Sequence, residues 1–292
     1  MNILWTAIRQ TCKLCGSHHR LWIPFLATAI VELAGVGVVW LAPQAPFSKV
    51  LAPPIRFFFG NDVLHYPMHL WFLYHAMKHT HVVATLLAGA FLSGLAYAMV
   101  RHSHEGKPLS LHAALTSKQV RYGRVTLLWL LTWGMGKGTM EVVTRVAPKA
   151  VWVFWAGMGL AVALQWLFVY AIPSAIFDGS TWFKALLRGI GEALRYPVST
   201  FLIILPPSAA LIAFNVFVND NAVGRWMMKT TPELVLAFIA ARLMVWTVTD
   251  AWLTVGIAHL WWLHRAPQPA SIRTSTATQV SPGRMKEGPA VA

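Results

Sequence analysis

The chain has 292 residues, of which 57% belong to the hydrophobic set and only 12% are charged, against about 25% charged residues in an ordinary soluble domain. This composition, with only two cysteines, excludes a soluble globular enzyme, a disordered protein and a disulfide-stapled secreted module. The formal net charge is +14, but the basic residues cluster at the ends of apolar runs. Basic residues in such positions flank membrane spans and face anionic headgroups, so the charge does not indicate nucleic-acid binding. The sequence predicts a polytopic all-α membrane protein.

Six segments are long and apolar enough to be membrane spans, since a spanning helix needs roughly 20 predominantly apolar residues. The predicted spans cover approximately residues 21–41, 81–100, 125–146, 151–172, 198–218 and 234–263. The third is the least apolar, because Lys137, Glu141 and Arg145 interrupt it. Together these segments predict one integral membrane domain over residues 1–264.

Two segments differ in composition from the spans. The connector over residues 42–80 is apolar but rich in proline and aromatic residues, which favours a surface-lying segment with one short interfacial helix over residues 68–79. The tail over residues 265–292 is rich in Pro, Ser, Thr and Gly and cannot bury a core, so we expect it to be disordered.

The distribution of Lys and Arg predicts the orientation. They are more numerous in the N-terminal region, the second and fourth loops and the tail than on the opposite side. By the positive-inside rule, both termini are expected in the cytoplasm, with the protein in the inner (plasma) membrane.

A basic amphipathic helix runs directly into a span at three places, beginning near Ala7, Ala114 and Ala185. In the third, an apolar helical stripe faces away from the basic residues Lys184, Arg188 and Arg195. Such helices lie in the headgroup plane with their basic residues toward anionic lipid. The sequence therefore predicts three amphipathic-helix-plus-hairpin units of two spans each.

The third of these segments carries a resemblance. The stretch Phe177-Asp-Gly-Ser-Thr-Trp-Phe-Lys-Ala-Leu through Arg195, followed by a Pro-containing span, resembles an element of several bacterial six-span families. These include the membrane domain attached to some glycerophosphodiester phosphodiesterases and related inner-membrane proteins. The resemblance covers about 30 residues of this chain plus the overall layout of spans. It implies an integral membrane module without an active site of its own.

Charged residues inside the predicted spans are the candidates for a polar network, because each is costly at the centre of a bilayer. They are Glu32, Lys137, Glu141, Arg242 and Asp250. Their depths predict that Lys137 pairs with Glu32 or Asp250, and that Arg242 pairs with Glu141. Such a network is either a proton or ion relay or a structural lock between helices, and the sequence leaves both open.

Three histidines of the connector, His69, His75 and His79, are candidate metal ligands. His75 and His79 have the i,i+4 spacing of two ligands on one helix, and a catalytic zinc site usually takes three protein ligands. The alternative is that they are interfacial histidines among aromatic neighbours.

The sequence predicts no catalytic residue and no cofactor. Its leading functional prediction is a non-enzymatic helper or scaffold of an envelope complex, or a membrane-shaping module. The alternatives are a transporter or channel subunit that uses the intramembrane charges, and a metal-dependent membrane enzyme. The expected partners are a bilayer with anionic headgroups and other membrane proteins, and not nucleic acid.

Overall fold

The computed structural model describes residues 2–116, 121–146, 151–218, 226 and 230–265. Over these residues it contains helices and no strand, which confirms the prediction of an all-α protein. The helices are α1 (Asn2–Ser17), α2 (Ile23–Leu41), α3 (Ser48–Phe59), α4 (Met68–Ala84), α5 (Ala90–His104), α6 (Leu111–Leu115), α7 (Tyr122–Val146), α8 (Val151–Phe168), α9 (Ala171–Phe177), α10 (Trp182–Arg195), α11 (Pro197–Val218) and α12 (Leu234–Arg265). The tail predicted to be disordered lies outside the described residues, apart from Arg265.

Four helical segments are long and apolar enough to cross a membrane by their length and composition. They are His19–Leu41, Trp155–Phe177, Pro197–Phe214 and Leu234–Arg265. These segments correspond to the first, fourth, fifth and sixth predicted spans, and they support a membrane protein. The helices at the second and third predicted spans are not among the four.

The connector is more helical than the sequence predicts. Helix α3 contains Pro53 and Pro54 in its interior, although prolines usually end or kink a helix because they lack the backbone donor. Helix α4 begins at Met68, where a short helix was predicted, but it does not end near His79. It continues through a π-helical turn, Thr85–Gly89, into α5. No proline occurs between residues 68 and 104 to interrupt it.

Helix α12 is the centre of the bundle and packs against α1, α2, α4, α5 and α11. The side chains of its C-terminal half are almost entirely buried, among them Val255, Ile257 and Leu260. Gly256 allows α1 and α11 to pack closely against α12. A Cβ at this position would lie 2.7 Å from Cδ1 of Ile203 on α11 and 3.7 Å from Oγ1 of Thr11 on α1.

Helix α10 packs mainly through its small residues, and of its large apolar ones Leu186 also packs against the core. Ala185, Gly189 and Ala193 are buried, whereas Phe183 and Leu187 of the predicted apolar stripe are exposed. This part of the stripe is therefore left free on the surface of the protein.

Candidate functional site

A cavity of about 570 Å³ lies among seven helical segments, within the volume range of small-molecule sites. Its walls come from α2, the continuous α4–α5 helix, α7, α8, α9, α11 and α12. The polar side chains that line it are Thr28, Glu32, His81, Thr85, Ser93, Tyr97, Thr132, Lys137, Gln165, Ser208, Thr247, Asp250 and Thr254. The remaining lining residues are mainly apolar and aromatic.

Three of the five charged residues that the sequence singles out line this cavity, namely Glu32, Lys137 and Asp250. Each lies close to the middle of its helix, in α2, α7 and α12 respectively. Helices that cross near their midpoints bring residues of equal depth together, and this geometry places the three side chains around one space. Charged side chains in the middle of membrane helices usually face a bundle interior or a water-filled cavity.

Glu32 pairs with His81, a partner that the sequence did not indicate. His81 Nδ1 lies 2.7 Å from Glu32 Oε1, and the Glu32 side chain is only 4% exposed. An ionised carboxylate can only accept this hydrogen bond, so Nδ1 carries the proton when Glu32 is charged. The indole of Trp246 packs against the imidazole of His81. The predicted pairing of Glu32 with Lys137 is therefore replaced by a Glu32–His81 pair.

Asp250 differs from Glu32 because its side chain is accessible. It is exposed although it lies in the middle of the central helix, and its accessible surface faces the cavity that it lines. Within the described residues, neither Asp250 nor Lys137 has an ion-pair partner. Asp250 is thus the carboxylate that a ligand in the cavity can reach.

Arg242 lies buried on α12 and is held by aromatic faces. Its guanidinium carbon is 4.4 Å from the ring centroid of Trp246 and 5.5 Å from that of Tyr74, distances typical of cation–π contacts. Its Nε and Nη1 have no hydrogen-bond partner among the described residues. The predicted partner, Glu141, has a side chain that lies outside the described part of the structure. Arg242 does not line the cavity, but it shares Trp246 with the Glu32–His81 pair.

Two irregular helix segments border the cavity. Thr85 and Gly89, the first and last residues of the π-helical turn, both line it, and π-helical turns inside α-helices occur frequently at functional sites. Pro206 and Pro207 lie inside α11 directly before the lining residue Ser208. The sequence shows the two prolines, but nothing in it indicated the π-helical turn.

The three candidate metal-ligating histidines lie on α4. His69 is buried, with Nδ1 3.3 Å from the carbonyl oxygen of Val63, and Nδ1 of His75 lies 3.0 Å from the carbonyl oxygen of Trp71. In the residues that the structure describes, no group of three or more His, Cys, Asp or Glu is placed to hold a metal ion. The structure adds no support to a site at His69, His75 and His79, which stays a prediction.

Of the basic residues assigned to the membrane surface, Arg188 is engaged within the protein. It donates to Asp178 Oδ2 at 2.9 Å, and Arg265 at the end of α12 donates to the other oxygen of the same carboxylate. Arg195 lies over the ring of Tyr196 at 5.4 Å, and Lys184 is exposed. Sequence reasoning missed Asp178, which follows the end of α9 and ties it to the middle of α10 and the end of α12.

His104, the last residue of α5, lies beyond the apolar segment of its helix and packs against two rings of α12. Its imidazole is 4.7 Å from the ring centroid of His259 and 5.0 Å from that of Trp262. Burial, together with the neighbouring His259, lowers the pKa of His104 to about 4. The ordinary histidine pKa in an unfolded chain is about 6.5. The unfolded chain therefore takes up a proton in a range of pH where the folded chain does not.

The free energy of unfolding should consequently fall as the pH decreases from about 6.5 toward 4. For this half-buried group the fall is on the order of 1 kcal/mol, once solvent screening is allowed for. The His104→Gln variant should lose part of this dependence, which thermal unfolding of the detergent-purified protein at pH 7.5 and 5 would measure. The exposed His112 supplies the control variant, His112→Gln. If the stability of His104→Gln and of the wild type depended equally on pH, the lowered pKa of His104 would be contradicted.

In comparisons with family models, curated proteins and solved structures, nothing matches this chain.

Proposed function

We propose that the protein is a multi-pass membrane transporter and that the cavity between its helices is the path of a small solute. The observation that carries this proposal is the accessible Asp250 carboxylate beside the buried Glu32–His81 pair in the middle of the bundle. Ionisable groups at this depth are expensive and mark substrate or ion pathways. Transporters place their binding sites near the bilayer midplane, beside broken or irregular helices, and this cavity is bordered by a π-helical turn and a Pro-Pro pair.

The proposal includes a membrane topology. The α4–α5 helix and α7 would complete six spans with the four apolar helices, because both contribute walls of the same cavity. The protein would lie in the inner membrane. Both of its termini would be in the cytoplasm, as the distribution of Lys and Arg predicts. Helix α10 would lie along the cytoplasmic surface, with exposed Phe183 and Leu187 in the lipid and Lys184 toward anionic headgroups. The resemblance to the six-span bacterial families agrees with this layout.

A helper or scaffold protein was the leading prediction from the sequence, and the cavity now favours transport. A scaffold has no need of an accessible carboxylate in the middle of its bundle, where each charge carries a cost. A transporter needs both the space and the charge. The metal-dependent enzyme has no comparable observation in its favour.

Cysteine accessibility tests the path directly. Thr247 lines the cavity, whereas the adjacent Val248 is exposed but does not line it. The two residues lie at the same depth on α12, so they form a matched pair. Each is replaced by cysteine after Cys12 and Cys15 have been changed to serine, and the variants are placed in proteoliposomes. A membrane-impermeant, positively charged methanethiosulfonate reagent is then added from either side.

We expect Thr247→Cys to react at least tenfold faster than Val248→Cys from at least one side, because only the cavity admits water. At each time point, the thiols that have not yet reacted are labelled with a large maleimide. The labelled protein migrates more slowly on a gel, so the fraction that shifts gives the rate of the first reaction. Equal, very slow reaction of both variants from both sides would mean a sealed structural lock, and the proposal of a transport path would be abandoned.

A further inference from the structure

The cavity has walls suited to one class of solute. Aromatic rings of Tyr97, Trp129, Trp133 and Trp246 line it together with Asp250. Aromatic faces attract cations through the negative charge of their π-systems, most strongly when the site is desolvated. Aromatic side chains and an accessible carboxylate in the walls of one cavity can hold an organic cation by its charge and by its apolar body.

The ionisable side chains of the lining also favour a cation as the ligand. Glu32 is buried and paired with His81, so its carboxylate is engaged within the wall. Asp250 has no described partner and offers an accessible carboxylate to the cavity. Lys137 also lines the cavity, but its ammonium is carried on a flexible four-carbon stem. The carboxylate of Asp250, on a short side chain, is therefore the acidic or basic group that its helix positions more closely.

A second cavity extends this site toward the surface of the bundle. It has a volume of about 640 Å³, lies between α8 and α11, and is lined almost entirely by apolar side chains such as Trp155, Leu205 and Phe217. It shares Val162, Ser208 and Ile212 with the first cavity. A solute that partitions into the bilayer could reach Asp250 through this apolar groove without passing through bulk water.

From these observations we infer that the cavity binds a monovalent hydrophobic organic cation, with its charge at Asp250 and its apolar body among the tryptophans. This inference rests on the proposed function, since it names the class of solute that the path would carry. The alternative, an anion held by Lys137, uses the same space with the opposite charge.

Two ions of nearly the same shape and opposite charge separate these possibilities. Tetraphenylphosphonium and tetraphenylborate are measured in separate equilibrium-dialysis experiments on the full-length, detergent-purified protein. We expect saturable binding of tetraphenylphosphonium at about one per chain, with at least tenfold weaker binding of tetraphenylborate.

The variant Asp250→Asn should weaken tetraphenylphosphonium binding at least tenfold, whereas Asp250→Glu should restore most of it. The exposed Asp62 on the connector provides the matched control, Asp62→Asn, which should bind as the wild type does. Asparagine has nearly the shape of aspartate and keeps a polar side chain on the cavity wall, so Asp250→Asn is expected to fold; an unchanged gel-filtration profile checks this. If Asp250→Asn elutes as an aggregate, Asp250→Glu and the comparison of the two ions still decide the inference.

Other results would overturn the inference. Equal binding of the two ions would show an apolar site without charge selection, and preferred binding of tetraphenylborate would assign the site to Lys137. If neither ion binds while Thr247→Cys still reacts rapidly with the aqueous reagent, the solute class is wrong and the transport path stands. If neither ion binds and Thr247→Cys is also inert, both proposals fail.

Discussion

Replacing either Glu32 or His81 with glutamine is expected to lower the free energy of unfolding by about 2–4 kcal/mol, because each change disrupts the hydrogen bond that engages the nearly buried Glu32 carboxylate. The double variant should lose less than the sum of the two single losses, with a coupling energy of about 1–3 kcal/mol, as contacting residues show. The 2.7 Å contact between His81 Nδ1 and Glu32 Oε1 is the physical reason. Unfolding in mixed detergent micelles, titrated with sodium dodecyl sulfate and followed by tryptophan fluorescence, would measure all four species.

Lys137 provides the control for this double-mutant cycle of Glu32 and His81. Helix depth alone pairs it with Glu32 or Asp250, but within the described residues it has no ion pair with either carboxylate. The Glu32→Gln and Lys137→Gln changes should therefore be additive within about 0.5 kcal/mol. A coupling with Lys137 as large as that with His81 would contradict the pairing seen in the structure.

A gain in stability from the Glu32→Gln change would favour one interpretation of the network, whereas a loss fits both. A lock between helices exists to stabilise the protein, so its loss must cost stability. A functional carboxylate is commonly kept at the expense of stability. If Glu32→Gln made the protein more stable, the buried charge would be retained for function and not as a lock.

Replacing Gly189 with alanine is expected to destabilise the protein by about 1–3 kcal/mol, the usual range for overpacking a filled interior. A Cβ at this position would lie 2.7 Å from the backbone nitrogen and 2.9 Å from the Cα of Ala171. Backbone atoms of α9 cannot move aside as the end of a flexible side chain can. Helix α10 would therefore have to shift away from α9, which would also disturb the Arg188–Asp178 ion pair.

Gly191, two residues further along the same helix, is the matched control. A Cβ there meets nothing within 4 Å, so Gly191→Ala should be neutral or stabilise the helix by up to about 1 kcal/mol through the better helix propensity of alanine. Unfolding in mixed micelles would compare the two variants. If both have the same stability, the close approach of α9 and α10 does not exist in the folded protein.

The helical nature of the protein could be predicted because it depends on local composition. Apolar runs of about 20 residues can satisfy their backbone hydrogen bonds in a bilayer only as helices or closed barrels, and four such helices are present. The boundary near residue 80 was harder to predict. The proline- and aromatic-rich connector suggested an interfacial helix over residues 68–79 that is separate from the next span, whereas the helix continues through His81 and a π-helical turn.

The site could be predicted only in part, for a physical reason. The depth of Glu32, Lys137 and Asp250 along their helices follows from counting residues, and the structure places all three around one cavity. Which side chain each one contacts depends on how the helices are rotated and how closely they pack, and neither can be counted along the chain. His81 lies at the predicted edge of a span and not at its centre, so depth gave no reason to pair it with Glu32. It reaches Glu32 because α4 continues into the bundle.

The sequence by itself thus determined the helical class, the apolar segments and the set of costly charges, since each of these follows from local composition and hydrogen bonding. The tertiary structure alone decided that Glu32 pairs with His81, that aromatic rings hold Arg242, and that Asp250 faces an open cavity. Those arrangements are set by the relative rotation of helices distant in the chain, and by the close packing that small residues such as Gly189 and Gly256 allow.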